Sequence, residues 1–352
     1  MKIYIYGEKY FHILDSIIDT FQILGYEVKA KFIRKFNRSN LNIFEYLYYK
    51  QDKDSYVNKF YTQQQNELQD DIFAYNPDIF IAINPNFYFE LCTSRLLSNL
   101  KMKNIKTIIW YLDSIKRSKN IKQNINYYDK VISFEPNDYI YIYNKYKVKA
   151  SYLPFGVDTQ IFHDYNNDKF KYDISFVGYP TASRLKILEA VASYCYKNNR
   201  KMIVYGKYWN SGNFIRNICS KRKFCKQYPN IARYATNELI CNDNLARIYN
   251  ESKICLNIHI DEHKGINPRL LEILGCGSFQ LSDYREKTSD LGIVDGENII
   301  FYKSINDCIK KIQYYLDHDR ERNYIAKNGA ELVRAKYTLV EIIKKILSGF
   351  AQ

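Results

Sequence analysis

Long apolar runs, paired cysteines and glycine-rich loops are all missing from this chain of 352 residues. No stretch approaches the roughly 18 apolar residues of a membrane-spanning helix. The opening MKIYIYGEKYF has no apolar core of a signal peptide. The eight cysteines form no CxxC pair, and several lie in apolar runs, which argues against a disulfide framework or a zinc site. We therefore expect reduced, buried thiols in a cytoplasmic protein.

Signatures of nucleic-acid binding are absent as well, although the formal net charge is +14. There is no helix-turn-helix, zinc-finger or RNP pattern. The basic clusters Lys116–Lys122 and Arg216–Lys226 do not alternate with aromatic residues as a single-strand binding groove would. We expect no nucleic-acid partner and interpret both clusters as solvated surface, with peripheral contact to an anionic membrane as the alternative.

What the sequence does contain is an alternation of short apolar strands and amphipathic helices, typical of parallel α/β sheets. A polar, tyrosine-rich region at 34–70 is helical in pattern, and further helices are predicted up to Leu24, around Asn137–Lys145 and at Arg184–Tyr196. The predicted strands are Lys2–Tyr6, Tyr26–Ile33, Asp78–Asn84, Lys106–Leu112, Lys130–Phe134, Ser151–Pro154, Asp173–Val177, Lys201–Tyr205, Ile254–Ile260, Ser278–Ser282 and Asn298–Phe301.

The order of these elements predicts two Rossmann-like domains, 1–158 and 170–335, joined by a polar connection. In the carboxyl-terminal part of the chain the sequence predicts helices at Ile305–Leu316, Asp319–Lys336 and Leu339–Leu347. We expect residues 336–352 to form a helix that packs back on the first domain. Because doubly wound sheets bind ligands at the carboxyl ends of their strands, we expect the ligand in a cleft between the two domains.

The segment Lys264–Asp283 is the most informative part of the sequence. Asn267 is suited to cap a short helix and Pro268 to begin it. Arg269 beside the free N–H groups of a helix start forms an anion site, and Glu272 one turn later is placed to accept hydrogen bonds from sugar hydroxyls. The alternative is an ordinary surface pair between Arg269 and Glu272, three residues apart.

Other predicted strand ends of the second domain carry groups that suit a diphosphate. Gly178 begins the loop to Arg184, Gly206 and Lys207 follow the next strand, and His259 leads into the Lys264 segment. No GxGxxG pattern follows the first strand, so the sequence gives little support to a dinucleotide site.

Four segments of the chain resemble the GT-B glycosyltransferases, and among them the CgeB-like, spore-maturation type. They are DISFVGYPTASRLKILEAVA, ICLNIH, NPRLLEILGCGSFQLSDY and the stretch from GENIIFYKS to RAKYT. The resemblance covers the carboxyl half well and in the amino half rests on WYLDS and SFEPND…LPFGVD. It implies a GT-B fold with two Rossmann-like domains facing a cleft and carboxyl-terminal helices that return to the amino-terminal domain.

The resemblance also implies roles for individual residues. Glu272 is expected to bind the ribose hydroxyls of a nucleotide sugar. The diphosphate is expected to be held by Arg184, Arg269 and the backbone amides near Asn267 and Gly178. The base is expected near Arg233 and Tyr234.

Two residues are candidates for the chemistry on the acceptor side. Asp113 follows a strand of the first domain and is suited to act as general base on a hydroxyl. Its alternative role is to cap the next helix. His12 is the second candidate, with a purely structural role on its helix as the alternative.

The chain departs from the common retaining pattern of two glutamates eight positions apart. Glu272 would be the second, and Lys264 occupies the first position. Lys264 is suited to neutralise the leaving diphosphate instead, and retaining and inverting outcomes both stay open. We expect no metal and no cofactor. The match of His259, Glu262 and His263 to a zinc pattern is set aside, because that pattern needs its histidines on one helix face.

The leading hypothesis is therefore a metal-independent glycosyltransferase of the hexosyltransferase type, with a nucleotide-diphosphate sugar, guessed as a UDP-sugar, as donor. The acceptor is a glycan, protein or lipid. The alternatives are a sugar-nucleotide 2-epimerase and a non-catalytic sugar-nucleotide or glycan-binding protein of a surface or spore layer.

Overall fold

A computed structural model describes residues 1–9, 13–84, 91–115, 124–166, 169–209, 213–261, 264–286 and 288–350. The chain divides into two compact units. Unit 1 is Met1–Pro154 together with the segment from Ile343 onward, and unit 2 is Phe155–Ile342. Each unit has its own parallel sheet and its own hydrophobic core.

Unit 1 contains a six-stranded sheet with the order β2-β1-β3-β4-β5-β6, and its neighbouring strands pair in parallel. The β3 segment IFIAI is buried at every position, as expected for a strand covered on both faces. The strands are β1 (Lys2–Gly7), β2 (Glu27–Phe32), β3 (Ile79–Ile83), β4 (Lys106–Tyr111), β5 (Lys130–Ser133) and β6 (Ala150–Tyr152).

The helices of unit 1 connect these strands. The first helix shows how they pack, since its side chains Leu14, Ile17 and Phe21 are buried, whereas the helix Ile43–Gln51 has no buried residue. The helices are α1 (Ile13–Ile23), α2 (Ile43–Gln51), α3 (Lys53–Tyr75), α4 (Ser94–Met102) and α5 (Pro136–Tyr146).

Unit 2 contains a five-stranded parallel sheet with the order β11-β10-β9-β7-β8. Because all of its strands run in one direction, their carboxyl ends lie at the same edge, and the loops that follow them meet there. The strands are β7 (Tyr172–Val177), β8 (Met202–Tyr205), β9 (Ser252–Asn257), β10 (Gln280–Asp283) and β11 (Ile300–Tyr302).

The helices Pro268–Gly275 and Asp319–Lys336 pack closely against each other in unit 2. A Cβ atom at Gly329 would lie 2.8 Å from a methyl carbon of Leu274 and 2.9 Å from the backbone carbonyl oxygen of Asn298, so this close packing requires glycine. The helices from Phe155 onward are α6 (Ala182–Lys197), α7 (Phe214–Gln227), α8 (Asn242–Asn250), α9 (Pro268–Gly275), α10 (Ile305–Asp317), α11 (Asp319–Lys336) and α12 (Leu339–Leu347).

The chain returns to unit 1 within α12, since residues from Ile343 onward belong to that unit. Lys130 at the start of β5 fixes this return. Its Nζ donates to the carbonyl oxygens of Lys345, Ile346 and Ser348 at 2.8–3.2 Å, so a buried ammonium group satisfies the carboxyl end of the helix. None of the helices described is long and apolar enough to cross a membrane.

Candidate nucleotide-diphosphate site

The amino end of α9 lies at the carboxyl edge of the unit 2 sheet and is fixed by two asparagines. Asn267 Oδ1 accepts from the backbone N–H of Leu270 at 3.0 Å, and Pro268 is the first residue of the helix. The amide group of Asn267 donates to Asn257 Oδ1 at 2.9 Å, at the last residue of β9. This cap, together with the hydrogen bond to Asn257, holds the start of the helix beside the carboxyl end of β9.

Arg269 and Glu272 form an ion pair on α9, with 2.5 Å between Nη1 and Oε2. The pair has the spacing of an ordinary surface pair, but its carboxylate is not at the surface, since the Glu272 side chain is only 9% exposed. The Arg269 side chain is 37% exposed. A buried carboxylate beside an accessible guanidinium is suited to exchange this pair for ligand hydroxyls and phosphate oxygens.

Arg184 joins the loop after β7 to the end of β9. Its Nε donates to the carbonyl oxygen of Ile258 at 2.8 Å and its Nη1 to that of Tyr179 at 3.0 Å. Thr181 caps α6 by accepting from the backbone N–H of Arg184. The guanidinium is therefore held in one position at the carboxyl edge, among the strand ends that carry the other candidates.

Gly178 and Gly206 allow the ends of β7 and β8 to approach each other. Gly206 has φ +152°, and a Cβ atom there would lie 2.2 Å from the carbonyl oxygen of Gly178. Tyr208 Oη donates to the same oxygen at 3.1 Å. Asn237 Oδ1 accepts from the backbone N–H groups of Tyr208 and Trp209. Gly206 is thus required by the packing of this edge, whether or not it contacts a ligand, whereas a Cβ atom at Gly178 would only press on the ring of Phe176 at 3.0 Å.

The ends of β9 and β10 carry a connected set of polar side chains. His259 is buried, and its Nδ1 lies 2.7 Å from Asp283 Oδ1, which also accepts from the His259 backbone N–H at 2.9 Å. Asp283 Oδ2 accepts from Arg285 Nη2 at 2.7 Å. Among the residues described, no group bonds to His259 Nε2. Asp283 and Arg285 were not predicted as site residues, although both follow a predicted strand.

The protonation states of this cluster follow from burial and neighbouring charge. Burial lowers the pKa of His259, while the hydrogen bond to Asp283 raises it by less, so the imidazole is neutral at neutral pH. Burial alone would raise the pKa of Asp283, but the bond with His259 and the charge of Arg285 lower it overall. The carboxylate is therefore ionised and holds the proton of the imidazole on Nδ1.

Arg269 and Arg285 lie close enough to Arg184 to affect its pKa. Burial lowers the pKa of Arg184, Tyr208 and Asp283 raise it, and the positive charges of Arg269 and Arg285 lower it again. A guanidinium whose charged form is disfavoured by burial and by like charges gains when an anion binds beside it. The electrostatics of this edge therefore favour a multiply charged oxyanion such as a diphosphate.

Some predicted residues are not brought to this cluster. Arg233 is exposed and lies 4.1 Å over the ring of Tyr196, near the end of α6, whereas α6 starts at the carboxyl edge. Tyr234 follows directly, in the segment that runs beside β8. Lys207 and Lys264 are exposed, close in sequence to the strand ends.

The predicted acceptor residues belong to unit 1. Asp113 follows β4 and is half-buried, and its Oδ1 accepts from the backbone N–H of Ser114 at 2.8 Å. His12 lies outside the described residues, as do Glu262 and His263 of the zinc pattern. Within the described ranges, no group of three or more His, Cys, Asp or Glu side chains is placed to hold a metal ion.

A cavity of about 480 Å³ lies in unit 2 but at the other edge of the sheet. Its lining includes Ser252, the first residue of β9, and Phe279, which directly precedes β10. Both are at the amino ends of their strands, so this cavity is separate from the cluster around Arg184 and Glu272.

Comparison with known proteins agrees with this geometry. Residues 184–348 match a family model described as "Glycosyl transferase-like". The chain is 22% identical to spore protein CgeB of Bacillus subtilis over 282 residues, which cover 75% of this chain and 83% of CgeB. The chain is thus similar in sequence to CgeB and in fold to GT-B glycosyltransferases. The resemblance stated from the sequence is thereby confirmed.

Solved structures of GT-B glycosyltransferases share the fold along the whole chain. A sucrose-phosphate synthase from Thermosynechococcus elongatus has a TM-score of 0.64 at 13% identity, with 98% of both chains covered. The Anabaena protein HepE, in complex with UDP-glucose, has a TM-score of 0.64 at 11% identity and the same coverage. The predicted GT-B fold is thus confirmed.

Proposed function

We propose that this glycosyltransferase transfers a hexose from a UDP-sugar to a hydroxyl group of a glycan, protein or lipid, without a metal ion. The observation that carries the proposal is the convergence of Arg184, Arg269 and Arg285 with the buried carboxylate of Glu272 at one sheet edge. The UDP and UDP-glucose complexes of the structurally similar HepE support the choice of uridine.

In this proposal Glu272 accepts hydrogen bonds from both ribose hydroxyls of the donor. Arg269 is then released from the ion pair and turns to the diphosphate, beside the helix start that Asn267 caps. Arg184 contributes a fixed positive charge. As the bond between sugar and diphosphate breaks, negative charge grows on the leaving phosphate, and cations already in place stabilise it without further reorganisation.

These cations also offer a reason for metal independence. Charge on a leaving diphosphate must be neutralised, and guanidinium groups and helix N–H groups are able to do so in place of a divalent ion. Asp113 of unit 1 is the proposed base that takes the proton of the acceptor hydroxyl. Retaining or inverting stereochemistry stays open in this proposal.

The test is release of UDP from UDP-glucose, UDP-N-acetylglucosamine and UDP-galactose by the purified protein, with EDTA and then with Mg²⁺. We expect release with at least one donor at equal rates in both conditions. Glu272→Ala should raise KM by about 10- to 100-fold, the loss expected for hydrogen bonds to a charged group. Arg320→Gln, at an exposed position of α11, is the matched control and should leave KM unchanged.

Other outcomes separate the alternatives. A rate that appears only with Mg²⁺ would contradict metal independence. Conversion of the donor to its 2-epimer without UDP release would show an epimerase. Binding of UDP without turnover of any donor, tested with mixed glycan, protein and lipid acceptors, would favour a non-catalytic binding protein.

A further inference from the structure

Helix α7 of unit 2 carries large apolar side chains on its solvent-exposed surface. Phe214 is 79% exposed, Ile215 is 71% exposed, and Ile218 and Cys219 of the next turn are exposed as well. Phe224 is the buried side chain by which the helix packs on its unit. The apolar side chains at its amino end therefore make no use of the protein core.

The same helix is strongly basic. Its sequence FIRNICSKRKFCKQ contains no aspartate or glutamate, and its arginines and lysines are exposed. Four of the five basic side chains, Lys221, Arg222, Lys223 and Lys226, follow the apolar group along the helix, so the outer surface is most cationic towards the carboxyl end. The fifth, Arg216, lies among the apolar side chains.

We propose that α7 docks this protein on the surface of an anionic lipid bilayer. In this arrangement Phe214, Ile215 and Ile218 enter the boundary between headgroups and acyl chains, and the basic side chains bind lipid phosphates. The proposal goes beyond the proposed function, since it involves neither the donor edge nor the acceptor base. Solvation accounts for the basic side chains of α7 but not for its exposed Phe and Ile. An anionic bilayer accounts for both.

Helix α2 of unit 1 provides an internal comparison. Phe44 is also 79% exposed, and Ile43 and Leu47 beside it are exposed. However, the charged residues of α2 are Glu45 and Lys50, which balance each other. Both helices thus expose apolar side chains, but of the two it is α7 that also carries the positive charge to bind an anionic surface.

The experiment is co-sedimentation of the full chain with vesicles of phosphatidylcholine alone and of phosphatidylcholine mixed with phosphatidylglycerol. We expect binding to the mixed vesicles that weakens with added salt, and little binding to phosphatidylcholine. Arg222→Gln and Lys226→Gln should each weaken binding about fivefold. Phe214→Ser should weaken it by about tenfold or more. Phe44→Ser is the matched control and should have no effect.

Four results would overturn the proposal. The first is no binding to either vesicle, and the second is equal binding to both. The third is a loss with Phe44→Ser as large as that with Phe214→Ser. The fourth is binding to single-stranded RNA that competes fully with vesicles and survives Phe214→Ser, which would make α7 a nucleic-acid surface. All four variants should retain UDP binding, which separates a failure of this proposal from a failure of the donor site.

Discussion

The carboxyl edges of the two parallel sheets belong to sheets of similar strand order but differ in the side chains that follow their central strands. In unit 2 the residues after the strands include Arg184, Arg269 and Arg285. In unit 1 the residues after β3, β4 and β5 include Asn84, Asp113 and Glu135. One type of sheet thus presents three arginines beside the carboxylates of Glu272 and Asp283 in unit 2, and an amide and two carboxylates after the central strands of unit 1. The residues at the strand ends, and not the fold, decide which ligand each edge suits.

The polar groups at the unit 1 edge also fix its loops. Asn84 Oδ1 accepts from the backbone N–H of Leu112 at 2.8 Å, and Asp138 Oδ2 accepts from that of Ile115 at 2.8 Å. These bonds hold the segment around Asp113 in one conformation. We infer that unit 1 supplies a positioned carboxylate for an acceptor hydroxyl, while unit 2 supplies the charge that binds the donor.

The largest expected effect comes from removing the carboxylate of unit 1. Asp113→Asn should lower kcat by about 10²- to 10⁴-fold, because the general base is lost. The Kd for UDP should not change, since the donor edge is intact. UDP release and UDP titration measure the two quantities. Asp19→Asn, at an exposed position of α1, is the control. An unchanged kcat in Asp113→Asn would remove the proposed base.

The next effect comes from removing a cation of unit 2. Arg184→Gln should weaken UDP binding by about 10- to 100-fold, because a buried charged donor to the diphosphate is lost. Arg233→Gln is the informative control, since the family resemblance implies a role in base binding but the structure places Arg233 over Tyr196. We expect a change below about twofold for Arg233→Gln. Equal losses in both variants would contradict this assignment.

A smaller effect concerns the buried imidazole of unit 2. The pKa of His259 in the folded protein lies below its ordinary value of 6.5. The unfolded chain therefore takes up this proton first as the pH falls, and the free energy of unfolding of unit 2 should decrease as the pH falls through the ordinary histidine pKa of about 6.5. His259→Gln should remove this component and flatten the profile.

Denaturant titration at several pH values measures this slope. The sequence has two tryptophans, Trp110 in unit 1 and Trp209 in unit 2, so a Trp110→Phe background reports on unit 2 alone. If the free energy of unfolding changes with pH in the same way in His259→Gln as with His259 present, this histidine does not titrate as inferred.

The last effect concerns a buried cation that serves structure instead of ligand binding. Lys130 is buried in unit 1, and its Nζ donates to three carbonyl oxygens at the end of α12. Lys130→Met should lower the free energy of unfolding of unit 1 by about 1–3 kcal/mol, because these carbonyls lose their donor. Trp110 fluorescence in a Trp209→Phe background measures it. Lys149→Met, at an exposed neighbour, should change it by less than about 0.5 kcal/mol.

The sheets could be predicted well from the sequence. Strands such as IFIAI and KTIIWY are buried on both faces and therefore stand out as continuous apolar runs. Three helices were not predicted, α4, α7 and α8. In α7 the buried face consists mainly of Phe224, so its apolar pattern is too weak to indicate a helix. Its basic residues were interpreted as solvated surface, with contact to an anionic membrane as the alternative.

The site was predictable only in part. Arg184, Arg269 and Glu272 stand at positions where strand order and a capped helix indicate a ligand edge. The bond between His259 and Asp283 joins residues 24 positions apart on neighbouring strands, so it depends on the register of the sheet. No local pattern contains that information, and the same holds for the position of Arg233 over Tyr196.

The central claim is that Glu272 binds the ribose of a nucleoside diphosphate at the carboxyl edge of unit 2. Calorimetric titration of wild type and Glu272→Ala with UDP and with 2′-deoxy-UDP tests it directly. We predict that the wild type binds UDP more tightly than 2′-deoxy-UDP and that Glu272→Ala binds both equally and weakly. If Glu272→Ala keeps the full preference for the ribose, or if the wild type binds neither nucleotide, the donor site is not where this account places it.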